Sequence, residues 1–273
     1  MTATTPDTRD HLAALGIPEL SPEQIRAIDE DGFFVVEGVF TEEQCDRMTE
    51  AADALWAAEG EGAGGEVSQE VGVSRRLSNL YNKSDAFDPL IAIGPTLAAA
   101  RHVLGEFRLH GANIREPLAG AGQQRLHSDV PKDDRGWQLV NTMVALDEVT
   151  ADNGPTRVVP GSHRWGYLNV PAENLYDGQQ ETDAAEDAAR IPADPHAAYD
   201  GERYVTMPRG AIAVINGHLW HSGTTNRSGA RRRVATISYA RRDVPQQVVQ
   251  RDVLTSALDA RLTDPTRWLL DVL

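Results

Sequence analysis

Apolar residues recur at helical spacing through the first hundred residues and then switch to short, strand-like runs. Ser21-Pro22-Glu23-Gln24 has the form of a capped helix start, with Ser21 as cap, Pro22 at the first helical position and Gln24 closing the box. That helix runs through Ile25 and Ile28 and stops at Gly32. Phe33 to Phe40 is β-rich, and Thr41 to Gln44 opens a second helix reaching about Ala58. A Gly-rich loop follows at 59–65, and 88–104 reads as a third helix stopped by Gly105. Beyond it, β-like stretches alternate with turn signals at 106–115, 124–130, 137–146, 156–160, 203–207, 211–215, 218–222 and 232–240. Short strands after an α-rich opening predict a β-sandwich or barrel with helices packed outside.

The pattern divides the chain. Residues 1–20 are mixed and polar and read as a flexible arm, and 21–273 as one domain. Within it, 21–105 is the helical part, 106–242 the barrel, and 253–273 a C-terminal helical segment. Asn169 to Tyr204 holds nine acids and only two bases, Arg190 and Arg203, and reads as an acidic insertion or lid, or a solvated surface loop.

The chain of 273 residues carries 26 Lys+Arg against 41 Asp+Glu, a net charge of −15. This balance disfavours nucleic acid, which needs clustered positive charge, and disfavours docking on an anionic membrane. No apolar run reaches the ~18–20 residues of a membrane-spanning helix. The opening MTATTPDTRD lacks the basic start and apolar stretch of a secretory signal. Cys45 is the only cysteine, so no internal disulfide and no multi-cysteine metal site can form. A cytoplasmic location is expected.

Among eight histidines, His127 stands out because Asp129 follows at i+2, which in an extended chain points to the same side. Some ninety residues on, GHLWHSG offers His221. Two histidines and a carboxylate form the facial triad of non-haem Fe(II) oxygenases, which leaves the opposite face open. His218 competes with His221, but its odd spacing sends it to the other strand face. Arg231, Arg232 and Arg233 open the run RRRVATISY. Alternation turns one arginine inward, and Arg232 shares its face with Val234, Thr236 and Ser238. A guanidinium there can pair with a carboxylate through two hydrogen bonds.

These features, taken in order, resemble the phytanoyl-CoA dioxygenase family of Fe(II)/2-oxoglutarate oxygenases. They are His127-Ser128-Asp129, the segment ALDEVTADNGPTRVVPGSHRWG at 145–166, GHLWHSGTTNRSG around His221, and an arginine eleven residues past that histidine. Asn226 and Ser228 match the family's residues at +5 and +7. The resemblance is strongest over 105–242 and extends to the opening GFFVVEGVF. It implies a double-stranded β-helix, a jelly-roll or cupin-like barrel. It implies metal ligands His127, Asp129 and His221, and a 2-oxoglutarate arginine at Arg232, with Asn113 as a further co-substrate contact. Family members often carry a tryptophan where this chain has Met143. The presence of Asp129 argues against a halogenase, which has a small residue there.

The resemblance thus implies an iron enzyme that uses 2-oxoglutarate and O2 to hydroxylate a small molecule, releasing succinate and CO2. Desaturation, cyclisation or epimerisation would share the early steps. Two alternatives are a non-catalytic jelly-roll that senses a ligand and a cupin-type metalloenzyme that does without 2-oxoglutarate. The intact set of His127, Asp129, His221 and Arg232 speaks against the first, and Arg232 against the second, which needs no dicarboxylate clamp there. The acidic chain disfavours coenzyme A and favours a neutral or cationic metabolite. Trp137, His163 and Asn79 are the candidate substrate contacts, Asn79 within the run RRLSNLYNKSD at 75–85. Asn153-Gly154 reads as a tight turn, and Arg241-Arg242 as surface.

Overall fold

The computed structural model describes residues 8–130, 133–165 and 189–273. Both capping boxes form. Ser21 and Gln24 cap α2 (Pro22–Arg26), which continues as a π turn over Ala27–Asp31 and ends at Gly32 with φ 86°. Thr41 and Gln44 cap α3 (Glu42–Glu59) in the same way. Where polar composition predicts a flexible arm, residues 8–14 instead form a helix, α1 (Thr8–Ala14). Its His11 stacks on Trp268 with ring centres 5.1 Å apart, and Leu12 joins the core. Tertiary contact overrides the weak local signal there. The helix predicted over 88–104 is two pieces, a 3-10 segment Asp85–Leu90 and α5 (Gly94–Leu104), with α4 (Leu80–Lys83) ahead of them. Pro89 and the break before Gly94 separate the two.

Two antiparallel sheets carry the site. The larger has the order β1-β7-β4-β9-β3-β2, with β1 Phe33–Val36, β2 Ser74–Leu77, β3 Phe107–Pro117, β4 Leu139–Ala145, β7 Ile212–Asn216 and β9 Val234–Arg241. The smaller is β6-β5-β8, with β5 Thr156–Val158, β6 Arg203–Val205 and β8 His221–Gly223. This is the double-stranded β-helix with flanking helices. Helices α3 and α5 cover the outer face of the large sheet, where Leu97, Leu104, Phe107, Val140, Val144 and Ile237 share one apolar core. Apolar burial of this kind is the main term holding the layers together. The other face of the large sheet, through Asn141, Met143, Thr236 and Ser238, looks into a cavity between the sheets.

The predicted strand at 124–130 is no ladder but a crossing chain with one isolated bridge, His127 to His221. The C-terminal segment folds as three short helices, α6 (Gln250–Val253), α7 (Ser256–Asp259) and α8 (Asp264–Leu270). Most of the acidic insertion, through residue 188, lies outside the described residues. Its later part is held by Arg157, buried on β5, whose guanidinium binds the Ala197 and Pro195 carbonyls and Glu202. Among the described residues no helix is long and apolar enough to cross a membrane.

Candidate active site

Two crossing stretches present the ligands. His127 and His221 exchange backbone hydrogen bonds, N–H to O at 2.9 and 2.7 Å, and the Asp129 N–H donates to the Gly217 carbonyl at 3.0 Å. These bonds keep 127–129 extended, so His127 and Asp129 turn to the same side. His127 Nε2 lies 3.7 Å from Asp129 Oδ1, and His221 Nε2 lies 3.6 Å from the same oxygen. Ligand atoms of all three residues fall within 4.8 Å of one another.

The tautomers follow from the backbone. His127 Nδ1 sits 2.7 Å from the Arg125 carbonyl, and His221 Nδ1 sits 2.9 Å from the Leu219 carbonyl. A carbonyl only accepts, so each Nδ1 carries a hydrogen, and Nε2 is the atom each ring turns toward Asp129. Burial, and next the neighbouring His221 ring, hold His127 well below the usual imidazole range, against the pull of Asp129. Asn141 donates to Asp129 Oδ2, and Ser238 donates to Asn141 Oδ1 at 2.5 Å. Two imidazoles oriented through Nδ1 and one oriented carboxylate fit a divalent first-row ion with open positions.

His218 is engaged otherwise. It is fully buried, and its Nε2 accepts the Gln138 N–H at 3.1 Å.

The three arginines separate as alternation predicts. Arg231 pairs with Asp53 and Glu116 outside the barrel, and Arg233 pairs with Asp147 and Asp53. Arg232 is 3% exposed and lines the cavity with Val234, Thr236 and Ser238. It donates to the Gly154 carbonyl, while its Nε has no hydrogen-bond partner, and no carboxylate pairs with it among the described residues. Burial, and next the like charge of Arg115, press its pKa down to about 9. An uncompensated buried cation is costly, and a carboxylate in the cavity relieves that cost. Gly154, with φ 86°, is needed here because a Cβ would meet the Thr224 carbonyl at 2.8 Å. Asn226 shapes the following turn, accepting from the Gly229 N–H at 3.0 Å and donating to the Ala230 carbonyl at 2.8 Å.

The cavity has a volume of about 320 Å³ and holds the His-Asp-His cluster, Arg232 and Asn113 together. Asn113 Nδ2 donates to Gln247 Oε1 at 2.9 Å, and its Oδ1 has no partner. The three expected substrate contacts lie elsewhere. His163 is buried with Nε2 3.1 Å from the Asp29 carbonyl, packed against the Gly32 turn. Trp137 packs between His163 and His218 with its ring tilted to both, ring centres 5.6 and 5.2 Å away. Asn79 takes a left-handed turn, φ 56°, and its Oδ1 accepts from Asn82 at 2.8 Å. None of the three lines the cavity. From the same 75–85 run, Arg76 does, bound to Glu70. Arg241, read as surface, is largely buried in an ion pair with Asp133.

Sequence reasoning missed Asn141, His110, Arg115 and Gln247, which also line the cavity. Asn141 had a signal, since on β4 it shares a face with Met143. The others depend on pairings that no local pattern announces.

Residues 28–234 match the family model of phytanoyl-CoA dioxygenase. The chain is 25% identical to dioxygenase olcK of Penicillium canescens over 258 residues, 87% of this chain and 76% of that protein. It is 32% identical to L-proline trans-4-hydroxylase of Streptomyces griseoviridis over 196 residues, covering 64% of this chain and 71% of that one. The fold matches HygX from Streptomyces hygroscopicus, solved with nickel and 2-oxoglutarate bound, with TM-score 0.63 and 18% identity over 84% of this chain and 90% of that one. The family match spans the barrel, both ligand-bearing stretches and the start of β9. This chain belongs to the phytanoyl-CoA dioxygenase family.

Proposed function

We propose that this protein is an Fe(II)- and 2-oxoglutarate-dependent dioxygenase that hydroxylates a small polar metabolite with O2, releasing succinate and CO2. One observation carries the reading. Among the described residues a single cavity holds two imidazole nitrogens, one oriented carboxylate and a buried arginine that no carboxylate pairs with. The kinship with a proline hydroxylase, and a fold shared with a 2-oxoglutarate-binding protein, support it.

His127, Asp129 and His221 would hold the iron, which when bound activates O2 against the co-substrate and delivers one oxygen atom to a C–H bond. The residues of this chain supply the rest. Nδ1 hydrogens tied to backbone carbonyls fix both rings and leave Nε2 as the atom each would offer the metal. Arg232 would hold the far carboxylate of 2-oxoglutarate, with the Gly154 carbonyl fixing the guanidinium. Met143, Thr156 and Val234 shape the wall beside it and exclude water. The net charge of −15 weighs against a coenzyme A thioester.

The test is an anaerobic titration of metal-free protein with Fe(II) and then 2-oxoglutarate, followed in the visible range. A charge-transfer band in the wild type that is missing in Asp129→Ala is the expected result. Folded protein that binds iron but gives no band would overturn the 2-oxoglutarate assignment.

A further inference from the structure

Strand β3 does not run straight past the active site. Leu109 pairs with Tyr239 and Gly111 with Ser238, so His110 is an extra residue with no partner on β9. In a regular strand Leu109 and Ala112, three apart, would face opposite ways. The bulge puts both in the core and turns His110 into the cavity.

His110 is held firmly. Its Nδ1 lies 2.8 Å from the Pro245 carbonyl, and its own carbonyl accepts the Gln247 N–H at 2.8 Å. Nδ1 therefore carries the hydrogen, and Nε2 remains an acceptor. Burial keeps the ring's pKa below the ordinary value, outweighing the bond to Pro245 and the pull of Asp129. Gln247 folds back over Gly111 to accept from Asn113. A Cβ on residue 111 would stand 2.0 Å from Gln247 Oε1, so the glycine makes room for this amide.

A second cavity, about 510 Å³, adjoins the first and shares His110, Val67 and Gln247 with it. Its other walls mix polar and apolar groups, among them Glu66, Gln138, Asp243 and Val244. Val130 and Arg135 also line it, so the cavity offers a small molecule apolar burial together with a few charged and amide groups to orient it.

We propose that this second cavity is the substrate subsite, and that His110 and Gln247 position a small metabolite presenting a hydroxyl or amine hydrogen to His110 Nε2. The inference rests on the dioxygenase reading above. Nothing in it requires His110 to bind metal, since the ring's other nitrogen is committed to Pro245.

The experiment uses Fe(II)- and 2-oxoglutarate-loaded protein under anaerobic conditions and a panel of free amino acids, amino alcohols and polyols. Binding is read as a shift of the charge-transfer band. Three variants accompany the wild type. His110→Gln keeps an acceptor near the Nε2 position, His110→Phe removes it, and both lose the bond to Pro245. Gly111→Ala displaces Gln247 and leaves His110 in place. We expect at least one panel compound to bind. His110→Phe should weaken it about tenfold or more, and Gly111→Ala several-fold, with His110→Gln within about threefold of wild type. Affinity for 2-oxoglutarate should be unchanged in both His110 variants. Equal losses in His110→Gln and His110→Phe would reduce His110 to a strut for Pro245 and overturn the proposal. So would a full panel that fails to bind a protein showing the band. A missing band, seen before any compound is added, is instead the failure of the dioxygenase reading, and this inference falls with it.

Discussion

Asn141 donates a side-chain N–H to Asp129 Oδ2, which leaves Oδ1 as the oxygen facing both imidazoles. The carboxylate is thus oriented before any ion arrives. Its support comes from the large sheet, whereas His221 belongs to the small one.

Asn141→Ala should therefore weaken Fe(II) binding by about 10- to 100-fold, the usual effect of removing a ligand's hydrogen-bond partner. Calorimetric titration of the apoprotein checks it. Unchanged affinity would show that Asp129 is held by its backbone bond to Gly217 alone.

His221→Ala should abolish iron binding and keep the fold, because β8 is held by main-chain bonds to β5 and His127. His218→Ala should do the reverse. It empties a buried site and strips the Gln138 N–H of its acceptor, so it should cost about 1–3 kcal/mol of stability while the protein still binds iron. Parallel thermal melts and metal titrations separate the two.

Arg232→Met should raise the 2-oxoglutarate dissociation constant at least about thirtyfold, the scale for losing one partner of a buried charge pair. Without co-substrate the variant should melt no lower than wild type, since a buried cation lacking an anion is replaced by an apolar chain. Arg231→Ala, at a half-exposed ion pair, should leave co-substrate affinity within about threefold of wild type. Melting curves with and without 2-oxoglutarate report both effects.

Glu70 gives the protein an acid limit. Burial alone would raise its pKa, but Arg115 and Arg76 overcome that and bring it to about 2 from an ordinary 4.5. Its stabilisation is full above about pH 4.5 and is lost as pH falls towards 2, a span of about 3 kcal/mol at most. Glu70→Gln should flatten this part of the urea-stability curve. The loop carrying Val67 and Ser68, which Glu70 ties to β2 and β3, should become more open to proteolysis at neutral pH.

The His-Asp-His cluster was legible because its pattern is local at one end: His127 and Asp129 sit two apart in an extended stretch. Arg232 was legible because strand alternation sorts three consecutive arginines. His110 was not, because the bulge that turns it inward exists only in the pairing of β3 with β9. Helix α1 escaped notice since its reason to form is Trp268, far along the chain. His163, Trp137 and Asn79 do not line the cavity of the cluster; they meet the Asp29 carbonyl, the His163 and His218 rings, and Asn82, partners that lie far along the chain for all but Asn79.

A residue in a ladder answers to its neighbours on both sides, and most changes there are felt across the sheet. Position 110 is exempt. With no opposite number on β9, its side chain is tied to the Pro245 carbonyl and not to a cross-strand neighbour. On the substrate subsite proposed above, the bulge separates what holds the fold from what would set specificity, because the residue facing the substrate is one the ladder does not use.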